Sequence, residues 1–185
     1  MIKNMEKQYT ISVFTENQVG LLNKISIIFT RRHVNIESFS ASETEIKDVF
    51  RFTIVVRTSP EHINKLRLQI EKIVDVLKAF VHEEDEVIHQ EVALYKISTA
   101  NLQGINVEEL TREFKVRVLS LTPDYMVLEK TGHHSETQEL LVKLEPFGVM
   151  EFARSGRVAI IKWSRRFHTH LKDLEFAALE RGQLG

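Results

Sequence analysis

The sequence contains no cysteine, and it is poor in glycine and proline, with 7 and 3 of these residues among 185. Without cysteine the chain cannot form disulfides, thiolate metal sites or cysteine nucleophiles, a composition that fits a reducing cytoplasm. Phosphate loops of the Walker or dinucleotide type need several glycines close together, and the sequence contains no such cluster. Nucleotide binding through these loops is therefore excluded.

Charge and hydrophobicity exclude further classes of protein. The 25 basic and 26 acidic side chains give a net charge of -1, so neither nucleic acid nor an anionic membrane surface is an expected partner. No apolar run approaches the roughly 20 residues that span a bilayer, and residues 1–7 lack the apolar core of a signal peptide. We therefore expect a cytoplasmic protein of one medium domain or two small ones.

The first half alternates between strand-like and helix-like hydrophobic patterns. The predicted strands cover residues 9–14, 34–41, 50–56 and 76–81, and the predicted helices begin near Gly20 and Pro60. This β-α-β-β-α-β order over residues 8–82 is typical of a ferredoxin-like unit, in which two helices cover one face of four antiparallel strands. The other face needs a cover from a partner sheet, a second domain or another subunit. Arg51 alternates with Phe50 and Phe52, so it lines that second face or an interface, or is an ordinary surface arginine.

The second half repeats this order less clearly. Residues 83–90 are charged without a clear period and are interpreted as a linker. Residues 91–163 again suggest βαββαβ, with strands near 92–98, 116–121, 125–131, 149–154 and 157–163 and helices near 107–114 and 135–144. Residues 164–185 are interpreted as a partly helical C-terminal tail. The predicted fold is therefore α+β, with two ferredoxin-like units.

The turn between the first strand and the first helix has the pattern Asn17-x-x-Gly20. Glycine permits a tight turn and lets a ligand approach the start of the helix, where free N–H groups can hold a carboxylate. Asn17 and Asn35 add side-chain amides that both donate and accept hydrogen bonds. The combination suits capture of a small amino acid. The alternative is an ordinary strand-to-helix turn with an asparagine near the N-cap, and the motif alone does not distinguish the two.

Catalytic and metal-binding groups are not expected in this chain. His133, His134 and Glu136 are close in sequence, but adjacent histidines on a turn do not easily face one ion, which favours a surface turn. Histidine, aspartate and glutamate elsewhere do not form a recognisable pair of nucleophile and base. Regulation by a small molecule is therefore favoured over catalysis.

Several longer runs extend these patterns to a known family. The runs in the first half are Ile11-Ser12-Val13, Glu16-Asn17-Gln18-Val19-Gly20-Leu21-Leu22, residues 28–38 and Arg51-Phe52-Thr53-Ile54-Val55. The runs in the second half are residues 91–97, Glu129-Lys130-Thr131-Gly132 and Glu151-Phe152-Ala153-Arg154-Ser155-Gly156. The first half resembles an ACT domain, and residues 8–162 together resemble the small regulatory subunit of acetolactate synthase, also called acetohydroxyacid synthase.

The resemblance implies a non-catalytic subunit that binds and activates a catalytic large subunit and confers feedback inhibition by branched-chain amino acids. Thiamine diphosphate, magnesium and FAD are then expected only in the catalytic subunit, with no cofactor in this chain. The resemblance also implies a homodimer formed through the ACT domain. Its effector site would consist of Asn17, Gly20, Leu21 and Leu22 of one protomer and Asn35 and Ile36 of the other.

The chain departs from the family pattern after the second Ser-Gly strand, where Lys162-Trp163-Ser164 and a tail to residue 185 replace a short ending. Three other functions remain as alternatives. A free-standing tandem ACT sensor of another pathway is the principal one. An enzyme lacks a catalytic constellation, and an RNA-binding protein of this fold lacks the aromatic strand pattern.

Overall fold

A computed structural model describes residues 6–102 and 107–162, except for the side chain of Leu110. The predicted C-terminal tail and Trp163 lie outside the described residues. The first six elements are β1 (Lys7–Glu16), α1 (Leu21–Arg31), β2 (Ile36–Glu43), β3 (Val49–Thr58), α2 (Pro60–Ile70) and β4 (Val76–Glu83). The next seven are β5 (Val87–Ser98), α3 (Val107–Phe114), β6 (Arg117–Leu121), β7 (Tyr125–Gly132), α4 (His134–Leu144), β8 (Val149–Arg154) and β9 (Val158–Ile161). The predicted α+β class with two βαββαβ units is confirmed.

The described chain divides into two compact units. One unit contains the residues up to Ile88 together with those from Ala159, and the other is His89–Val158. The linker that the sequence suggests at residues 83–90 is regular structure instead: β4 ends there, a 3-10 turn covers Glu84–Glu86, and β5 begins at Val87. The Glu86 carboxylate accepts the Glu83 N–H at 2.8 Å, so it stabilises the turn between β4 and β5.

The sheet of the first unit has the strand order β2-β3-β1-β4, with antiparallel neighbours. Because β1 and β2 are both antiparallel to β3, they run parallel to each other, as a βαβ connection requires. Helices α1 and α2 pack on one face of the sheet. The core there contains Leu21, Ile25, Phe29, Ile63, Leu66 and Ile70 from the helices and Tyr9, Ile11, Val13, Phe52, Ile54, Val56 and Ala79 from the strands.

Helix α2 is shorter than its apolar spacing suggests. Ser59 caps its start by accepting the His62 N–H at 3.3 Å, and Pro60 occupies the first turn. The pattern continues to Leu77, but the helix ends at Ile70 and two turns carry the chain into β4. Ile73 still packs against the core from a turn, and Leu77 packs on the opposite side of the sheet beside Phe14. The apolar spacing therefore continues past the end of the helix, because Ile73 and Leu77 are packed there without being helical.

The second unit has the strand order β6-β7-β5-β8, and β9 also pairs with β5. Its core joins strand residues such as Tyr95, Ile97, Met126 and Leu128 to Leu140 and Leu144 of α4. Helix α4 begins with a capping box in which Glu136 accepts the His133 N–H at 2.7 Å. The apolar periodicity of α4 explains why this helix could be predicted from the sequence.

The second face of the first sheet, here called the outer face, is also buried. Its residues alternate with the core residues of β1, β3 and β4, so they point away from α1 and α2. Thr10 and Ser12 are each 1% exposed, and Thr53, Val55 and Phe14 are buried with them. Both faces of this sheet therefore carry buried residues, and those of the outer face do not pack against α1 or α2.

His82 on the outer face makes stability depend on pH. Burial lowers the pKa of its imidazole; Glu86 opposes this shift, and Arg51 adds to it. Below the unfolded-state pKa of about 6.5, the unfolded chain therefore binds more protons than the folded chain. The free energy of unfolding then decreases as the pH decreases, by at most about 1.4 kcal/mol per pH unit. We expect His82→Gln to flatten this loss in urea unfolding between about pH 5 and 7. The exposed His62→Gln variant is the control, and equal slopes in both variants would exclude His82 as the cause.

Candidate functional site

The turn between β1 and α1 is exposed and depends on one left-handed residue. Gly20 has φ 83° and ψ 0°, a conformation that residues with a Cβ rarely adopt. The Gln18 N–H donates to Glu16 O at 3.1 Å, and the Leu21 N–H reaches Gln18 O at 3.4 Å. A Cβ placed on Gly20 would meet no atom within 4 Å. The predicted tight turn is present, and the space beside Gly20 is open to a ligand.

The start of helix α1 has its positive end uncovered. No side chain among the described residues caps this helix, and its first turn contains no acidic residue. The Lys24 N–H is the first to close the helical pattern, by donating to Gly20 O at 3.1 Å. The preceding N–H groups are those that a helix leaves for a cap, water or an anion. Lys24 is itself neutralised by Asp75, whose carboxylate lies 2.7 Å from Nζ.

The side chains around this helix start differ in what they offer. Leu21 is 2% exposed and packs in the core, so it presents only its backbone to a ligand. Leu22 is 50% exposed, and Asn17 is exposed as well. Val19 is fully exposed at the tip of the turn and was not among the predicted site residues. An apolar residue between polar turn residues was the signal for it in the sequence.

The other predicted half of the site lies at the start of β2. Asn35 is exposed just before this strand, and Ile36, its first residue, is partly buried against the core. Ile36 pairs with Val56 of β3, whereas Glu16, immediately before Asn17, pairs with Val49. The offset of seven positions between these partners on β3 corresponds to about 23 Å along the strand. The two halves therefore lie at opposite ends of the sheet within one chain.

Strand β2 forms one edge of the first sheet. One side of its backbone faces β3, and the other has no neighbouring strand among the described residues. An edge strand is a place where a strand of another chain can pair. This edge is the available place for a second copy to approach Asn35 and Ile36.

The histidine pair of the second unit is part of a structural network. His134 Nδ1 lies 3.3 Å from Glu91 Oε2, and Arg154 Nε lies 3.5 Å from the same oxygen. Arg154 also donates to Thr137 Oγ1 at 3.2 Å. Within residues 6–102 and 107–162, no group of three or more histidine, aspartate or glutamate side chains is placed to hold a metal ion. Glu91 and Arg154, which lie in two of the runs that resemble the family, thus contact each other near the start of α4.

Tyr95 extends this network into the core. Its hydroxyl donates to Thr137 O at 2.6 Å, and burial raises the pKa of the phenol to about 12. A phenol with so high a pKa is neutral at physiological pH and serves as a hydrogen-bond donor here. The network therefore ties β5 to α4.

No helix in the described part of the chain has both the length and the apolar character to cross a membrane.

The fold and the open helix start are those of an ACT-type unit, and a second ferredoxin-like unit follows it. A family model described as an AHAS small subunit-like ACT domain matches residues 11–78. A second model, described as the small subunit of acetolactate synthase, matches residues 90–163.

Individual relatives agree with both family models. An acetolactate synthase small subunit of Mycobacterium bovis is 32% identical over 163 residues, which is 88% of this chain and 97% of that protein. The Bacillus subtilis small subunit is 31% identical over 88% of this chain and 94% of its own length. The crystal structure of the Thermotoga maritima small subunit superposes with a TM-score of 0.78 at 25% identity, covering 85% of this chain and 98% of that one. The chain belongs to the family of acetolactate synthase small subunits.

Proposed function

We propose that this chain is the regulatory subunit of acetolactate synthase. In this role it binds and activates the catalytic large subunit and confers feedback inhibition by a branched-chain amino acid. Family membership supports the association with a catalytic subunit, and the uncovered start of α1 supports an amino-acid site. Thiamine diphosphate, magnesium and FAD belong to the catalytic subunit in this proposal, and the complex works in the cytoplasm.

The effector site is composed of two chains. If the β2 edges of two copies pair antiparallel about a two-fold axis, the start of one β2 lies beside the end of the other. Glu43 at that end pairs with Phe50, next to the Val49 partner of Glu16. Asn35 of one protomer then reaches the same end of the joined sheet as the Asn17–Gly20 turn of its partner. The separation of the two halves within one chain is the observation that carries this proposal.

The chemistry of both halves suits an apolar amino acid. Helix N–H groups near Gly20 and Leu21 hold the carboxylate without a basic side chain. Asn17 and Asn35 bind the polar ends of the ligand through their amides. Val19, Leu22 and Ile36 supply apolar surface for its side chain. Because the ligand touches two chains, it stabilises the dimer in which the site exists.

Isothermal titration of the purified chain with valine, leucine and isoleucine tests this function. We expect saturable binding of at least one of them, weak or no binding of glycine and serine, and about tenfold weaker binding in Asn17→Ala, because an amide hydrogen-bond pair is lost. Asn64→Ala, an exposed asparagine on α2, is the matched control. Equal affinity in the two alanine variants would remove Asn17 from the site.

The same preparation distinguishes the principal alternative, a free-standing tandem ACT sensor of another pathway. Mixing the chain with the acetolactate synthase large subunit of the same organism should raise the catalytic rate, and the amino acid that binds in titration should lower it again. Effector binding without any effect on the large subunit would favour the free-standing sensor.

A further inference from the structure

Asp75 lies on the turn between α2 and β4 and contacts both ends of the turn between β1 and α1. Its carbonyl oxygen accepts the Glu16 N–H at 3.0 Å, immediately before the Asn17–Gly20 turn begins. Its carboxylate lies 2.7 Å from Nζ of Lys24, the fourth residue of α1. The turn that carries one half of the proposed effector site is therefore held at its start and at its end by the same residue.

The turn itself is exposed and is bonded only lightly within the described residues. The Gln18 N–H donates to Glu16 O at 3.1 Å, and the Leu21 N–H lies 3.4 Å from Gln18 O, which is long for a hydrogen bond. No described side chain caps the start of α1, and Asn17 and Val19 are exposed. The geometry of the effector turn thus depends on what holds its two ends.

Asp75 is anchored more firmly than the turn that it holds. The Val76 N–H donates to Ile73 O at 3.0 Å across Asp75, and the Ile73 side chain packs against the core of the first unit. Val76 is buried and pairs with Thr15 at the end of β1. The side chain of Asp75 is 19% exposed, whereas that of Lys24 is 54% exposed. Asp75 is thus the fixed partner, and the start of α1 is the part that loss of the ion pair would free.

The charge of Asp75 also suits this helix start. A lysine near the start of a helix opposes the helix dipole, and α1 has no acidic residue in its first turn to compensate. Asp75 supplies the negative charge from outside the helix and places it at Lys24 Nζ, and no described side chain bonds to the helix N–H groups. The carboxylate therefore stabilises the helix start without blocking the N–H groups that hold the effector in the proposed site.

We infer that Asp75 is a positioning residue for the effector site. Its carboxylate holds Lys24, and with it the start of α1, in the orientation that receives the effector carboxylate. This inference rests on the proposed function, because it assigns a role in that same site. Asp75 does not touch the effector in this role; it raises the fraction of chains whose turn is ready to bind, and the apparent affinity follows that fraction.

Asp75→Asn removes the charge and keeps the backbone carbonyl and the size of the side chain. We expect isothermal titration of the full-length chain with valine, leucine and isoleucine to show about threefold to fivefold weaker binding of the preferred amino acid, the scale of a partly exposed ion pair. Unchanged or tighter binding in Asp75→Asn would overturn the inference.

Glu71→Gln is the matched control. The Glu71 side chain is 20% exposed, lies at the other end of the same turn, and pairs with Arg67 and Lys78 instead of α1. Removing this charge should lower the stability of the unit without changing the effector affinity. Equal weakening of binding in Glu71→Gln and Asp75→Asn would assign the effect to a general loss of stability and overturn the inference.

Substitutions of Lys24 separate positioning from direct binding of the effector. Lys24→Met, alone or combined with Asp75→Asn, should bind as weakly as Asp75→Asn, because all three variants lack the same ion pair. Lys24→Arg keeps the pair and should keep most of the parent affinity. If Lys24 instead bound the effector carboxylate itself, Asp75→Asn would free it and tighten binding, which is the opposite result.

Amide hydrogen exchange in the effector-free chain tests the position of the turn directly. The Lys24 N–H, which donates to Gly20 O, should exchange several-fold faster in Asp75→Asn than in the parent, whereas the N–H of Phe29, buried farther along α1, should keep its rate. Equal Lys24 rates in both chains would overturn the inference. A parent chain that binds none of the three amino acids would contradict the proposed function, whereas full affinity in Asp75→Asn contradicts the role of Asp75 alone.

Discussion

Replacing Gly20 by aspartate is expected to abolish feedback inhibition while leaving the fold and the activation of the catalytic subunit intact. The new carboxylate would lie beside the helix N–H groups that hold the effector carboxylate in the proposed site. Two like charges about 4 Å apart cost between about 1 and 4 kcal/mol, depending on the local exposure to water. The effector concentration for half-inhibition should rise by roughly fivefold to thousandfold.

The structure explains why the fold should tolerate this change. A Cβ at residue 20 meets no atom within 4 Å, so the side chain creates no clash within the chain. The left-handed backbone at φ 83° disfavours most residues, but aspartate and asparagine adopt it more readily than others. The expected loss of inhibition is therefore electrostatic and not a consequence of unfolding.

Gly20→Asn separates charge from shape. Asparagine has nearly the same size and tolerates the same backbone conformation, but it carries no charge. We expect Gly20→Asn to keep measurable inhibition in the reconstituted enzyme, with a higher half-inhibition concentration than the parent chain. Equal loss in both variants would assign the effect to backbone strain, and undiminished inhibition in Gly20→Asp would place the site elsewhere.

Local sequence patterns were sufficient for the helix start of the candidate site. Asn17-x-x-Gly20 predicted a tight turn at the end of a strand, because glycine adopts the left-handed conformation found there with the least strain. The same pattern could not tell Leu21 from Leu22. Their different exposure depends on the direction from which the sheet packs against α1, which is a property of the whole unit.

Strand register was not available from local patterns. Asn35 and Asn17 are close in sequence, and only the pairing of Ile36 with Val56 and of Glu16 with Val49 puts them at opposite ends of the sheet. The charged run at residues 83–90 was misread for a related reason. Its charge comes from Glu83 and from the 3-10 turn Glu84–Glu86 between β4 and β5, so the composition resembled a linker although a strand begins at Val87.

Mixed dimers should show directly that each effector site is shared between two chains. Gly20→Asp adds a carboxylate to the turn half of a site, and Asn35→Asp adds one to the strand half. In a dimer of two identical variant chains, both sites carry an added carboxylate. In a dimer that contains one chain of each variant, one site receives both carboxylates and the other receives neither.

Heterodimers isolated with two different affinity tags should therefore bind about one effector per dimer with the parent affinity, against about two for the parent dimer. Neither variant homodimer should bind at the same effector concentrations. A site contained within one chain gives the opposite result, because each chain of the heterodimer then carries one damaged site. Titration of the four dimers thus decides between a shared and an internal site, and binding at half stoichiometry is the outcome that the proposed shared site predicts.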